Sequence, residues 1–97
     1  VPATLHVAGE ESERGFRQEL EHRIAELRLE DRVTLLGSVG EDRVLAELLG
    51  AHAFVLPSHH EPLGVALTEA MACALPVVGT AAGGVRELVT HGVDGLL

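Results

Sequence analysis

Short apolar runs, each closed by a glycine or a proline, alternate along this chain with stretches of helical periodicity, and that alternation leaves few folds open. Residues 4–8 (TLHVA) read as a strand ended by Gly9, residues 33–36 as a second strand ended by Gly37, and residues 53–56 as a third stopped by Pro57. Residues 76–78 read as a fourth, and residues 95–97 as the start of a fifth. Strands this short and without polar alternation suit a parallel sheet covered on both faces. Between them, Phe16, Leu20, Ile24 and Leu27 share one face of a helix over roughly residues 12–29, with Ser12 as N-cap and Glu13 complementing the dipole. Glu41 and Asp42 open a second helix that turns Val44, Leu45, Leu48 and Leu49 inward. Residues 65–74 form a third helix and residues 84–90 a short fourth. Strands alternating with helices imply crossover connections, and so an α/β, Rossmann-like doubly wound parallel sheet.

Composition narrows the function. The 97 residues form at most one domain, and 46% apolar content supports a packed core. The formal net charge is −8, none of the seven cations is Lys, and the two aromatic residues are both Phe. Such a surface repels phosphate backbones and anionic lipids and offers few rings for base stacking, which argues against a nucleic-acid partner. Cys73 is the single cysteine and sits in an apolar stretch, so it is expected to be buried and inert, with no disulfide framework. A cytoplasmic location fits, while membrane association of a longer parent stays open.

Chemistry concentrates in residues 57–97. Glu61 and Glu69 are separated by seven residues and bracket Pro62, Leu63, Gly64 and Val65. With twelve Glu in the chain, that spacing alone says little; its setting says more. In an open α/β sheet, ligands bind beyond the carboxyl ends of the strands, and the loop after the third strand holds Glu61. The amides at Gly64 to Ala66 open a helix, an end that attracts phosphate. Glu69 lies on that helix. A carboxylate accepts two hydrogen bonds side by side, which matches a vicinal diol. Gly83 and Gly84 make a second turn feeding a helix, and Gly37, Ser38 and Val39 close the second strand. The adjacent His59 and His60 point to opposite sides of an extended segment and lack a third ligand at suitable spacing, so no metal is expected.

The run AFVLPSHHEPLGVALTEAMACALPVVGTAAGGVRE resembles the C-terminal, nucleotide-sugar-binding domain of retaining glycosyltransferases of the GT-B type, family 4 (group 1). The resemblance implies transfer of a sugar from a nucleotide diphosphate sugar with retention of configuration and without a cofactor or dedicated metal. It implies that Glu61 is the catalytic candidate and binds hydroxyls of the donor sugar. Pro62, Leu63, Gly64 and Val65 would line the donor, as would Gly83 and Gly84. Glu69 would accept the ribose hydroxyls, and Gly37, Ser38 and Val39 would hold the base. Leu63 stands where the family usually has an aromatic residue. Ala74 stands where M-A-x-G-x-P-V has Gly, and its methyl is expected to tighten the helix end.

By the same resemblance, residues 1–97 are a partial domain. The first strand, the basic pair that follows it, the closing helices and the N-terminal acceptor domain would lie outside it. The acceptor is unknown, and the fragment alone is expected to be inactive and poorly stable. Arg86 is expected to be a surface residue. The rival readings are a non-catalytic GT-B-like binding module and a nucleotide-sugar epimerase or phosphorylase of similar shape. A receiver-like signalling domain would want a Lys late in the chain, and there is none.

Overall fold

The computed structural model describes residues 2–97. Its elements run β1 (Leu5–Ala8), α1 (Phe16–Glu26), β2 (Val33–Gly37), α2 (Glu41–Gly50), β3 (Phe54–Leu56), α3 (Val65–Ala72), β4 (Val77–Gly79) and α4 (Val85–Leu88). The chain divides into two compact units, one up to Val44 and one from Leu45 to Leu97.

The first unit is a β-α-β crossover. β1 and β2 are parallel, with Leu5 opposite Val33 and Val7 opposite Leu35, and the register slips between Val7 and Ala8. A parallel pair needs a long connection, and α1 provides it. α1 begins later than residue 12. Its N-cap is Gly15, left-handed at φ 87°, and Ser12 gives it no side-chain cap. The Glu11 carboxylate instead accepts the Arg17 amide at 2.8 Å, satisfying one of the first-turn donors left over at any helix start. Glu19 replaces Glu13 as the acid of the first turn.

The C-terminus of α1 closes with Arg28 at φ 56°, its amide bonding Ala25 O at 3.1 Å and that of Leu29 bonding Ile24 O at 2.9 Å. That pair of bonds is a Schellman cap built without glycine. Of the expected inward face, Leu20 and Ile24 are half-buried, whereas Phe16 and Leu27 are 45% and 52% exposed. β1 is exposed along its length, contrary to a strand covered on both faces.

The second unit holds the core. β3 and β4 are parallel, with Phe54, Val55 and Leu56 opposite Val77, Val78 and Gly79. Leu96 adds a parallel bridge to Val78 through Gly79 N–H to Leu96 O and Leu96 N–H to Val77 O, both 2.9 Å, which is where the fifth strand was expected. Leu48, Leu67, Ala70, Val77, Val85 and Val89 are the buried apolar residues, and all six lie in this unit. On α2 only Leu48 is buried; Leu45 and Leu49 are 51% and 68% exposed rather than inward. Cys73, the C-cap of α3, is half-buried rather than buried.

The class is α/β with parallel strands, as expected, but the strands hydrogen-bond as two separate pairs, β1–β2 and β3–β4. Among the described residues, no helix is long and apolar enough to cross a membrane.

Candidate functional site

Two loops of the second unit meet: residues 58–64, between β3 and α3, and residues 80–84, between β4 and α4. Both follow the carboxyl ends of neighbouring parallel strands, so the sheet itself sets them side by side. Three observations lock them together. The Thr80 hydroxyl donates to the Ser58 carbonyl. The Gly84 amide donates to the Glu61 carbonyl at 2.9 Å. The glycine α-carbons also lie against the opposite backbone: a Cβ on Gly83 would strike the Glu61 carbonyl, and one on Gly84 would sit 2.5 Å from the Pro62 oxygen. Close backbone approach is therefore what demands glycine here, and at Gly83 a φ of 52° adds to it.

Glu61 is half-buried, and its Oε1 accepts the Gly64 amide at 3.1 Å. One carboxylate oxygen is thereby fixed, leaving Oε2 and the remaining lone pairs for a ligand. Gly64, buried and left-handed at φ 67°, is the N-cap of α3; its amide is spent on Glu61, so the donors left for an anion at this helix start are those beyond it. A Cβ at Gly64 would lie 2.9 Å from Leu88 Cδ1. From Gly64 the chain enters α3, which buries Leu67 and Ala70 and turns Thr68 and Glu69 outward. The Glu69 carboxylate has no side-chain hydrogen bond or ion pair among the described residues. Pro62, Leu63 and Val65 are exposed, Leu63 at 73% and Val65 at 58%. Leu63 is thus not packed into the turn.

Glu61, Pro62, Gly64, Gly83 and Gly84 are therefore drawn together, with Glu69 further along the same helix. Gly37, Ser38 and Val39 belong to the first unit. Gly37 is left-handed at φ 72° and its carbonyl accepts the Gly9 amide at 2.8 Å; Ser38 is exposed and Val39 half-buried. Beside that turn lies a residue not singled out from the sequence: Arg17 donates to the Leu35 carbonyl at 3.2 Å and pairs with Glu21 at 3.0 Å. A surface Arg on a helix gives no sequence signal of such reach. Arg86 is exposed, as expected, and donates to the Ala81 carbonyl at 2.8 Å; neither that bond nor the Thr80 bond to Ser58 has a sequence pattern. His59 and His60 are exposed, and no cluster of three His, Cys, Asp or Glu suited to a metal occurs among the described residues.

The family model described as "Glycosyl transferases group 1" matches residues 1–97. The chain belongs to that family. Among relatives, a D-inositol 3-phosphate glycosyltransferase of Geodermatophilus obscurus is 37% identical over 95 residues, covering 96% of this chain and 21% of that protein. An N-acetyl-alpha-D-glucosaminyl L-malate synthase of Bacillus anthracis is 40% identical over 74 residues, covering 76% and 19%. The structure of Anabaena HepE, solved with UDP and glucose, superposes at a TM-score of 0.89 with 36% identity, covering 97% of this chain and 26% of that one. The group 1 chain described here thus spans about a fifth to a quarter of the length of these proteins, and its α/β fold with parallel strands is that of a GT-B glycosyltransferase.

Proposed function

We propose that these residues are part of the donor-binding domain of a glycosyltransferase that moves a sugar from a nucleotide diphosphate sugar with retention of configuration. The observation that carries this reading is the pair of carboxylates: Glu61, half-buried with one oxygen tied to Gly64, and Glu69, exposed and unengaged on α3. Family membership and a relative solved with UDP-glucose support it. Glu61 takes hydroxyls of the donor sugar and is the catalytic residue; Glu69 takes the ribose diol. The α3 start faces the leaving diphosphate and Gly37, Ser38 and Val39 hold the base. The first strand with its basic pair, the closing helices and the acceptor domain belong to the rest of the protein, and the location expected is cytoplasmic. No cofactor enters, and the nucleotide sugar is a substrate.

Ligand-induced thermal stabilisation of the full-length protein by UDP-, GDP- and ADP-sugars tests this. One nucleotide should raise the melting temperature. Glu69→Ala should weaken its binding by about 2 kcal/mol, roughly thirty-fold, since two hydrogen bonds to an exposed, solvated carboxylate contribute about 1 kcal/mol apiece. A stabilisation that Glu69→Ala leaves intact overturns the assignment.

A further inference from the structure

The loop that abuts Glu61 has its own fastening. Arg86 stands on α4 and points its side chain back along the chain, where Nε donates to the Ala81 carbonyl at 2.8 Å. Ala82 N–H bonds Thr80 O at 2.8 Å and Val85 N–H bonds Ala82 O at 3.2 Å, so the turn from Thr80 to Val85 is tied at both ends and by Arg86 across its middle. Its far side delivers the Gly84 amide to the Glu61 carbonyl and leaves no space between Gly83 and Glu61. Glu61 in turn reaches Gly64 with its carboxylate. A continuous path of short contacts therefore runs from Arg86 through residues 81–84 to the Glu61 backbone and on to its carboxylate.

Arg86 is also the only Arg or Lys from Leu45 to Leu97, which makes direct attraction of a diphosphate the competing role. The guanidinium charge strengthens the bond observed, as it does any bond from an ionised donor, but the geometry does not require it. The bond uses one N–H at one distance from Cα, and the acceptor is a neutral carbonyl.

We propose that Arg86 is a positioning residue for Glu61, acting through the Ala81 to Gly84 loop by a single hydrogen bond and not by its charge. This rests on the donor-site reading of Glu61. A glutamine side chain places its amide nitrogen the same number of bonds from Cα as arginine Nε, and so keeps the donor while removing the charge. Methionine keeps the length and removes both.

The readout is how much more tightly the full-length protein binds the nucleotide sugar than the matching free nucleoside diphosphate (UDP, GDP or ADP, whichever stabilises it), measured by calorimetry. Arg86→Met should cut affinity for the nucleotide sugar about five-fold, the worth of one exposed hydrogen bond, and leave that for the free diphosphate within about two-fold. Arg86→Gln should restore the nucleotide-sugar affinity to within about two-fold of the unsubstituted protein. In a Glu61→Gln background, Arg86→Met should have no further effect, because the two act as one unit.

Equal loss in Arg86→Gln and Arg86→Met, with weakened binding of the free diphosphate, would show that the charge grips phosphate and overturn the proposal; so would additivity with Glu61→Gln. If Arg86→Met does not fold, Arg86→Gln decides alone by keeping or losing the preference for the sugar. A Glu61→Gln protein with an unchanged preference overturns the donor-site reading itself, and this proposal with it.

Discussion

Ala74 shows how much a single methyl can weigh in this chain. It is the residue after the C-cap of α3, at φ 59°, with its own amide bonded to Met71 O at 3.0 Å and that of Leu75 to Ala70 O at 3.1 Å. This is a Schellman cap whose left-handed position, where glycine costs nothing, is occupied by alanine. An L-residue in that region costs about 1–2 kcal/mol, of which the greater freedom of an unfolded glycine takes back about 0.5–1. Ala74→Gly should therefore stabilise the protein by about 0.5–1 kcal/mol, seen as a higher denaturant midpoint at unchanged slope. An unchanged or lower midpoint would mean that the methyl makes compensating contacts. The departure from M-A-x-G-x-P-V was legible in the sequence, but its consequence was not. A methyl expected to tighten the helix end instead sits on a strained backbone, because the sign depends on φ, which the residue name does not give. Ser12 fails for a related reason: a good N-cap residue competes with a glycine that turns left-handed three positions later and with a carboxylate, Glu11, that reaches the free amide.

The elements themselves were largely legible. Apolar runs stopped by Gly9, Gly37 and Pro57 are β1, β2 and β3, and Gly64 does open α3. What could not be read is which loop touches which. Glycines at 83 and 84 signal a turn, but the backbone they lie against belongs to a different loop, brought there by the pairing of β3 with β4. Gly84 offers a clean test of that contact. Its φ of −65° and ψ of −16° suit alanine, so substitution adds no backbone strain. Its Cβ, however, would stand 2.5 Å from the Pro62 oxygen and 3.2 Å from the Pro62 carbonyl carbon, neither of which belongs to a flexible side chain. Gly84→Ala should cost about 1–3 kcal/mol as the two loops part, the usual range for overpacking. Gly50→Ala, at the last residue of α2 with nothing within 4 Å and no positive φ, should cost nothing and stabilise by up to about 1 kcal/mol. Equal effects from the two substitutions would show that the loops do not hold each other.

Across the whole chain, apolar burial is unevenly shared. Every buried apolar residue described lies beyond Val44, while α1 buries nothing completely and β1 is exposed throughout. Alternating strands and helices identify an α/β fold from the sequence, but they do not say which strands pair. Pairing is a long-range property, set by which strands meet and not by the local pattern of each. β1 has one strand neighbour among the described residues, β2, so the first strand proposed to lie outside them would give β1 a second neighbour and cover Leu5 and Val7, now 50% and 38% exposed. Local stability follows buried apolar contact, and amide hydrogen exchange reads it residue by residue. In the 97-residue chain, amides of α1 should exchange roughly ten-fold or more faster than those of α3, a gap of about 1.4 kcal/mol in opening free energy. In the full-length protein the gap should shrink, because the strand proposed to lie outside these residues would add burial to the unit that has no fully buried apolar residue. Uniform protection in the short chain would mean that its two units already unfold as one. A gap that persists at full length would mean that no outside strand reaches β1.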